Sequence, residues 1–192
     1  MSATEQRGGD LTGFSDLIET YLLNKPATWG GVPKHEPKAA VLTCADARVT
    51  ASFVFGRPQG ELFVVRNAGN SATPSATASL DFAAAVLGIP LVFVMGHTYC
   101  GAVAGALSEE SPAFLDPVLK PLRETIRTTG AATPDDLSYA HVLRVAEQLR
   151  AHDGPVGHHA AQGTLRVVPV VFDLSTGTLV DAESGDRSEV AM

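Results

Sequence analysis

The sequence predicts an α/β fold built on a central, mainly parallel sheet flanked by helices, with a helical arm at the N-terminus. Three observations lead there. Apolar runs of strand length alternate with segments of helical periodicity, the pattern of a layered α/β domain. The runs Ala39–Thr43, Leu62–Arg66 and Leu91–Gly96 are apolar throughout rather than at every second residue, as strands covered on both faces are. Thr73-Pro74 and Thr133-Pro134 each pair a helix-capping hydroxyl with a first-turn proline, placing helix starts between strands.

Residues 1–10 are polar and read as a loosely attached terminus. Leu11, Phe14, Leu17, Ile18, Tyr21 and Leu22 then recur at helical spacing, and Pro26 ends that helix near Asn24. Gly30, Gly31, Pro33 and Pro37 make the next stretch a loop, with Trp29 as a packing anchor. After the second strand, Thr73-Pro74 opens a helix carried by Leu80, Phe82, Ala83, Val86 and Leu87 and stopped at Gly88. Residues 108–134 read as a proline-rich loop with one helix around Val118–Thr128. Thr133-Pro134 opens another helix, with Asp135 and Asp136 in the first turn where the helix dipole favours negative charge. That helix places His141 at its middle, while His152, His158 and His159 read as histidines of a solvated loop. A fourth strand, Leu165–Phe172, precedes a turn at Thr176-Gly177. Residues 11–180 thus form one α/β domain that includes the N-terminal helix, and residues 181–192 a polar tail.

Bulk properties narrow the function. The chain has 192 residues, a formal net charge of −7 and 45% hydrophobic residues, enough for a core. The acidic balance argues against nucleic acid, which calls for clustered Lys and Arg. No apolar run is long enough to span a membrane, and the polar start has no signal-peptide character. A cytoplasmic protein is expected.

Chemistry concentrates in two short strings, Cys44-Ala45-Asp46-Ala47-Arg48 and His97-Thr98-Tyr99-Cys100, which contain the only two cysteines. A disulfide or two inert, packed thiols would account for the cysteines alone. The Asp, Arg and His beside them favour a metal site. Cys44 follows the first strand and His97 the third, and in parallel sheets sites gather beyond the C-terminal strand ends. Two thiolates and one imidazole suit zinc, and an open fourth position makes such a zinc catalytic. Asp46 is close enough in sequence to bind the metal or to accept a hydrogen bond from its water. Arg48 can hold Asp46 away from the metal through a two-pronged pair.

These residues resemble the β-class carbonic anhydrases. The matching strings are Cys44-Ala45-Asp46-Ala47-Arg48-Val49, Val65-Arg66-Asn67-Ala68-Gly69-Asn70 and Gly96-His97-Thr98-Tyr99-Cys100-Gly101. The likeness is strong over Ala39–Leu107 and resumes more weakly in the last strand and its turn. It implies a β-carbonic anhydrase-like fold and one zinc ion per subunit on Cys44, His97 and Cys100. It implies Asp46 and Arg48 as the catalytic pair, with Asp46 as fourth ligand in a closed state. The implied reaction is reversible hydration of CO2 to bicarbonate and a proton by zinc-bound hydroxide, in a homodimer or higher homo-oligomer. Val49 and Gly101 are expected to line the substrate pocket, and Phe82 and Val86 to enter it from the neighbouring subunit. Many relatives carry Gln nine residues before the first zinc cysteine; His35 stands there in this chain and is a further substrate-binding candidate.

Two rival functions use the same residues. Hydrolysis of carbonyl sulfide or carbon disulfide needs the same activated water. A non-catalytic zinc protein has no use for the Asp46–Arg48 pair, which is intact.

Overall fold

The computed structural model describes residues 18–20, 23 and 31–189. The chain divides into two units, residues 1–33 and residues 34–192, where the sequence reading drew one domain over 11–180. In the first unit Ile18, Glu19, Thr20 and Leu23 are helical, in keeping with the expected N-terminal helix. The expectations for residues 1–10 and for Leu11, Phe14, Leu17, Tyr21, Leu22 and Trp29 lie outside the described residues. Among the described residues no helix is long and apolar enough to cross a membrane.

The second unit is built on a six-stranded sheet in the order β2-β1-β3-β4-β5-β6. Strands β1 (Ala39–Cys44), β2 (Leu62–Asn67), β3 (Leu91–His97) and β4 (Arg166–Asp173) are mutually parallel. The antiparallel strands β5 (Thr178–Asp181) and β6 (Arg187–Glu189) complete one edge. The helices are α1 (Ala51–Val54), α2 (Pro74–Ala85), α3 (Gly101–Leu107), α4 (Asp116–Thr129), α5 (Pro134–Arg150) and α6 (Pro155–Ala161), with a 3-10 turn at Ala113–Leu115.

All six residues of β1 are buried, which explains its unbroken apolar sequence. Ala40 and Leu42 face a core layer with Leu80 of α2, Val142 and Val145 of α5, and Val156 of α6. Val41 faces the opposite layer with Val54 of α1, Val103 of α3, and Leu119 and Leu122 of α4. Two expected helix starts are present: the Thr73 hydroxyl accepts from the Ala76 amide at 3.4 Å, and that of Thr133 from the Asp136 amide at 3.1 Å.

The structure corrects the reading in two places. His158 and His159, expected in a loop, lie on α6. The helix starts at Pro155, and its Val156 amide is satisfied by Asp81 Oδ1 of α2 at 3.0 Å, a cap supplied from a distant element. His152, just before α6, pairs with Asp81 Oδ2 at 2.9 Å. The stretch from residue 181 onward, expected as a tail, carries β6, which pairs with β5 in register Val180↔Arg187. Strands of four and three residues are too short to carry a periodic signal, and they form because β4 offers an edge.

Topology places the site. From β1 the chain moves to β2 on one side, then crosses through α2 to β3 on the other side of β1. The C-terminal ends of β1 and β3 therefore flank the point where strand order reverses, where open α/β sheets leave a crevice. Close packing beside it requires Gly96: a Cβ there would meet Val142 Cγ1 of α5 at 2.7 Å. Gly96→Ala is expected to cost about 1–3 kcal/mol through overpacking, measurable as a lower midpoint of denaturant unfolding with unchanged slope.

Candidate metal centre and its acidic partner

Cys44 is the last residue of β1, His97 the last of β3, and Cys100 caps the start of α3. All three are buried and both cysteines are free. Their ligand atoms lie within 4.8 Å of one another, and the two sulfurs are 4.0 Å apart. A tetrahedral zinc with bonds of about 2.3 Å to sulfur sets two thiolates about 3.8 Å apart, so the spacing fits such an ion.

The imidazole is prepared for a metal. His97 Nδ1 donates to the Thr98 carbonyl at 2.8 Å, which fixes the tautomer and leaves Nε2 with a free lone pair. That Nε2 is buried and has no hydrogen-bond partner. A buried, unpaired ring nitrogen beside two thiols is costly unless something binds it. The loop carrying it is pinned: the Thr98 amide donates to the Phe172 carbonyl at 3.1 Å and the Thr98 hydroxyl accepts from the Leu174 amide at 3.0 Å. The Ser138 hydroxyl of α5 donates to the His97 carbonyl at 3.3 Å.

The thiols are electrostatically unequal. The hydrogen bond between the two sulfurs draws the Cys44 thiol well below its usual range against the opposing effect of burial. The same bond, together with burial, pushes Cys100 up. The pocket thus favours at least one thiolate before any cation arrives, and a divalent cation favours both.

Asp46 and Arg48 form the expected pair. Arg48 Nε donates to Asp46 Oδ1 at 2.9 Å and Nη2 to Oδ2 at 2.7 Å, while the Arg48 amide reaches Oδ1 at 3.0 Å. These bonds hold the Asp46 carboxyl well below the usual carboxylate range. Asp46 Oδ2 lies 4.0 Å from His97 Nε2. Arg48 Nη2 also donates to the Tyr99 carbonyl at 3.1 Å, and Tyr99 adopts the uncommon left-handed backbone, with φ of 57°. One guanidinium therefore ties the loop after β1 to the loop after β3.

The other expected residues divide into two places. Val49 is fully buried in the same apolar layer as Cys44 and Cys100, and Gly101 opens α3, where a Cβ would meet nothing within 4 Å. Phe82 on α2 and Val86 at its end are 47% and 64% exposed, so both apolar side chains remain available to another surface. His35 is not at the centre of its own chain. It precedes β1, whereas Cys44 ends it, and its ring lies 6.4 Å from that of Phe63, which lies 6.1 Å from Phe82.

Arg66 escaped the sequence reading. From β2 its Nε donates to the Cys44 carbonyl at 3.0 Å and its Nη2 to the Asp46 carbonyl at 2.6 Å. Its place in the string Val65–Asn70 marked it for attention, but its role depends on β2 lying beside β1 in the register Cys44↔Asn67.

Comparison with known proteins agrees with this geometry. The carbonic anhydrase family profile matches residues 39–179. Carbonic anhydrase 2 of Mycobacterium tuberculosis is 31% identical over 153 residues, covering 76% of this chain and 74% of the relative. The carbonic anhydrase of Mycolicibacterium smegmatis is 31% identical over 163 residues, covering 80% and 79%. Among solved structures, one of two tetrameric β-carbonic anhydrases from Sordaria macrospora superposes with a TM-score of 0.72 at 25% identity, over 92% of each chain. The Coccomyxa β-carbonic anhydrase, solved with acetazolamide, shares the fold with a TM-score of 0.73 at 21% identity, over 94% of this chain and 89% of that one. With the family match spanning both ligand-bearing strand ends and the sheet between them, the chain belongs to the carbonic anhydrases, in their β class.

Proposed function

We propose that this chain catalyses the reversible hydration of CO2 to bicarbonate and a proton, with one zinc ion per subunit held by Cys44, His97 and Cys100. The observation that carries the reading is the convergence of two thiols and an unpaired imidazole nitrogen, with the Arg48-bound Asp46 carboxylate 4.0 Å from that nitrogen. Bound there, zinc supplies the Lewis acidity that brings the ionisation of water towards neutral pH.

The chain's own residues do the rest. Asp46 has no proton to give, so it accepts a hydrogen bond from the attacking water and orients a lone pair towards CO2. Arg48 keeps Asp46 ionised and in place. The closed state, with Asp46 as fourth ligand, requires its bonds to Arg48 to loosen. Val49 and Gly101 provide an apolar, uncrowded wall suited to CO2. Phe82 and Val86 complete the pocket of a neighbouring subunit in a homodimer, which accounts for their exposure in a single chain. His35 belongs to that same surface through Phe63. A cytoplasmic location keeps both ligand thiols reduced.

Stopped-flow CO2 hydration on zinc-quantified protein between pH 6.5 and 9, with carbonyl sulfide as a parallel substrate, tests the reading. Turnover of CO2 that rises with pH and exceeds that of carbonyl sulfide is expected. Full zinc occupancy with turnover of carbonyl sulfide alone would replace it by the hydrolase reading.

A further inference from the structure

Arg66 occupies the next-to-last position of β2, beside β1 in the register Thr43↔Arg66, and the reaction scheme above gives it no part. Its guanidinium binds two main-chain carbonyls of the loop after β1. Nε donates to the Cys44 carbonyl at 3.0 Å and Nη2 to the Asp46 carbonyl at 2.6 Å. A hydrogen bond from a charged donor is about twice as strong as one between neutral groups. The planar fork of the guanidinium also sets the spacing of the two oxygens it holds.

The two carbonyls belong to the proposed metal ligand and to the proposed acceptor of the water's hydrogen bond. The peptide unit between Cys44 and Ala45 is held at both ends, its carbonyl by Arg66 and its amide by the Asn67 carbonyl at 3.0 Å. The Asp46 carbonyl is shared between Arg66 and the Val49 amide, which reaches it at 3.1 Å and closes the turn leading to Val49. Arg48 holds the other end of Asp46, the carboxylate. Arg48 rides on the same loop as Asp46, two residues on, so the pair can shift together. Arg66 stands on a separate strand and ties that loop to the sheet.

We infer that Arg66 is a positioning residue for the reaction: by gripping the Cys44 and Asp46 carbonyls with one guanidinium, it fixes the backbone that carries the Asp46 carboxylate at a set distance from the metal ligands. Arg48 orients the carboxylate, and Arg66 holds the main chain from which it springs. The inference rests on the proposed reaction, and one arm of its test needs neither metal nor turnover.

The test compares wild type, Arg66→Met and Arg66→Lys, each alone and combined with Asp46→Asn. Zinc content, thermal unfolding and stopped-flow kcat and KM are measured, with amide hydrogen exchange on the metal-free protein. Arg66→Met is expected to keep one zinc per chain and to lose about 10–100-fold in kcat with KM within about twofold, the scale of misplacing a reacting group by about 1 Å. In the Asp46→Asn background the same change should cost less than about threefold, because no carboxylate is left to place. In metal-free Arg66→Met the amides of Ala45 and Val49 should exchange about tenfold faster, while that of Thr98, on the loop after β3, stays unchanged. Arg66→Lys keeps the charge but not the two-pronged grip, so its kcat should fall by about threefold to tenfold. Wild-type kcat in a folded Arg66→Met overturns the inference, as do equal losses with and without the Asp46 carboxylate. Unchanged exchange at Ala45 and Val49 overturns it too. So does zinc lost in step with kcat, since the effect then runs through Cys44. If Arg66→Met does not fold, Arg66→Lys carries the same comparisons, and a lysine variant indistinguishable from wild type overturns the inference. Wild-type protein with full zinc and no CO2 turnover overturns the proposed reaction instead, and the exchange arm separates that failure from this one.

Discussion

Cys100→Ala is expected to abolish CO2 hydration and stoichiometric zinc together. Three side chains converge on the candidate centre, and each sits on a different piece of the scaffold: the end of β1, the end of β3 and the cap of α3. Removing the third leaves two protein ligands, below the three that catalytic zinc sites use. It also leaves a void the size of one sulfur atom in a buried layer that contains Val49, Val103 and Leu122. Metal analysis after dialysis against a weak chelator should find less than about one-tenth of the wild-type zinc, with turnover falling in proportion. Thermal unfolding carries a second signature. A ligand that binds only the folded state stabilises it by RT ln(1 + [L]/Kd), so chelation should lower the unfolding temperature of wild type and leave the variant's almost unmoved. A variant that retains one zinc per chain would remove Cys100 from the ligand set.

Asp46→Asn is expected to lower turnover by about 10²–10⁴-fold with zinc content unchanged, the range for losing a positioned proton acceptor. The substitution keeps size and shape. It replaces an acceptor-only carboxylate by an amide with one acceptor and two donor hydrogens, so the NH2 group either faces Arg48 or faces the water it should orient. Its pH dependence separates this role from that of the ionising water. Arg48 holds the Asp46 carboxyl far below neutrality, and a zinc ion nearby would lower it further. Asp46 is therefore ionised throughout pH 6.5–9, and the ratio of wild-type to variant rate should be constant across that window while both rates climb. A ratio that collapses towards one at low pH would mean that Asp46 titrates there. Equal rates at every pH would leave the carboxylate without a catalytic role.

Both predictions concern residues that stand out in one dimension. Cys44, Asp46 and Arg48 fall within five positions, His97 and Cys100 within four, and the chemistry of thiol, imidazole and carboxylate is carried by residue type. Their convergence was also legible, because continuous apolar runs mark buried parallel strands and such strands end at a common edge. The same reasoning identified β1 to β4 and the helices opened by Thr73 and Thr133.

What it missed depends on contacts between distant segments. α6 starts where Asp81, on another helix, accepts the Val156 amide. β5 and β6 exist because β4 presents an unpaired edge. Arg66 is an unremarkable strand residue until β2 lies beside β1 and its guanidinium reaches two carbonyls of the Cys44–Asp46 loop. The place of His35 is likewise set by packing: β1 separates it from Cys44 within one chain, and its ring lies beside Phe63, which in turn neighbours Phe82.

The sequence by itself determined the ligand chemistry, the acidic pair and the parallel sheet that brings them to one edge, since residue type and hydrophobic period are local properties. Only the tertiary structure decided which tautomer His97 holds, which carbonyls Arg66 grips and which carbonyl the buried His141 holds. Hydrogen bonds of about 3 Å are made or lost over fractions of an ångström, and only the packed chain sets distances of that order between distant residues.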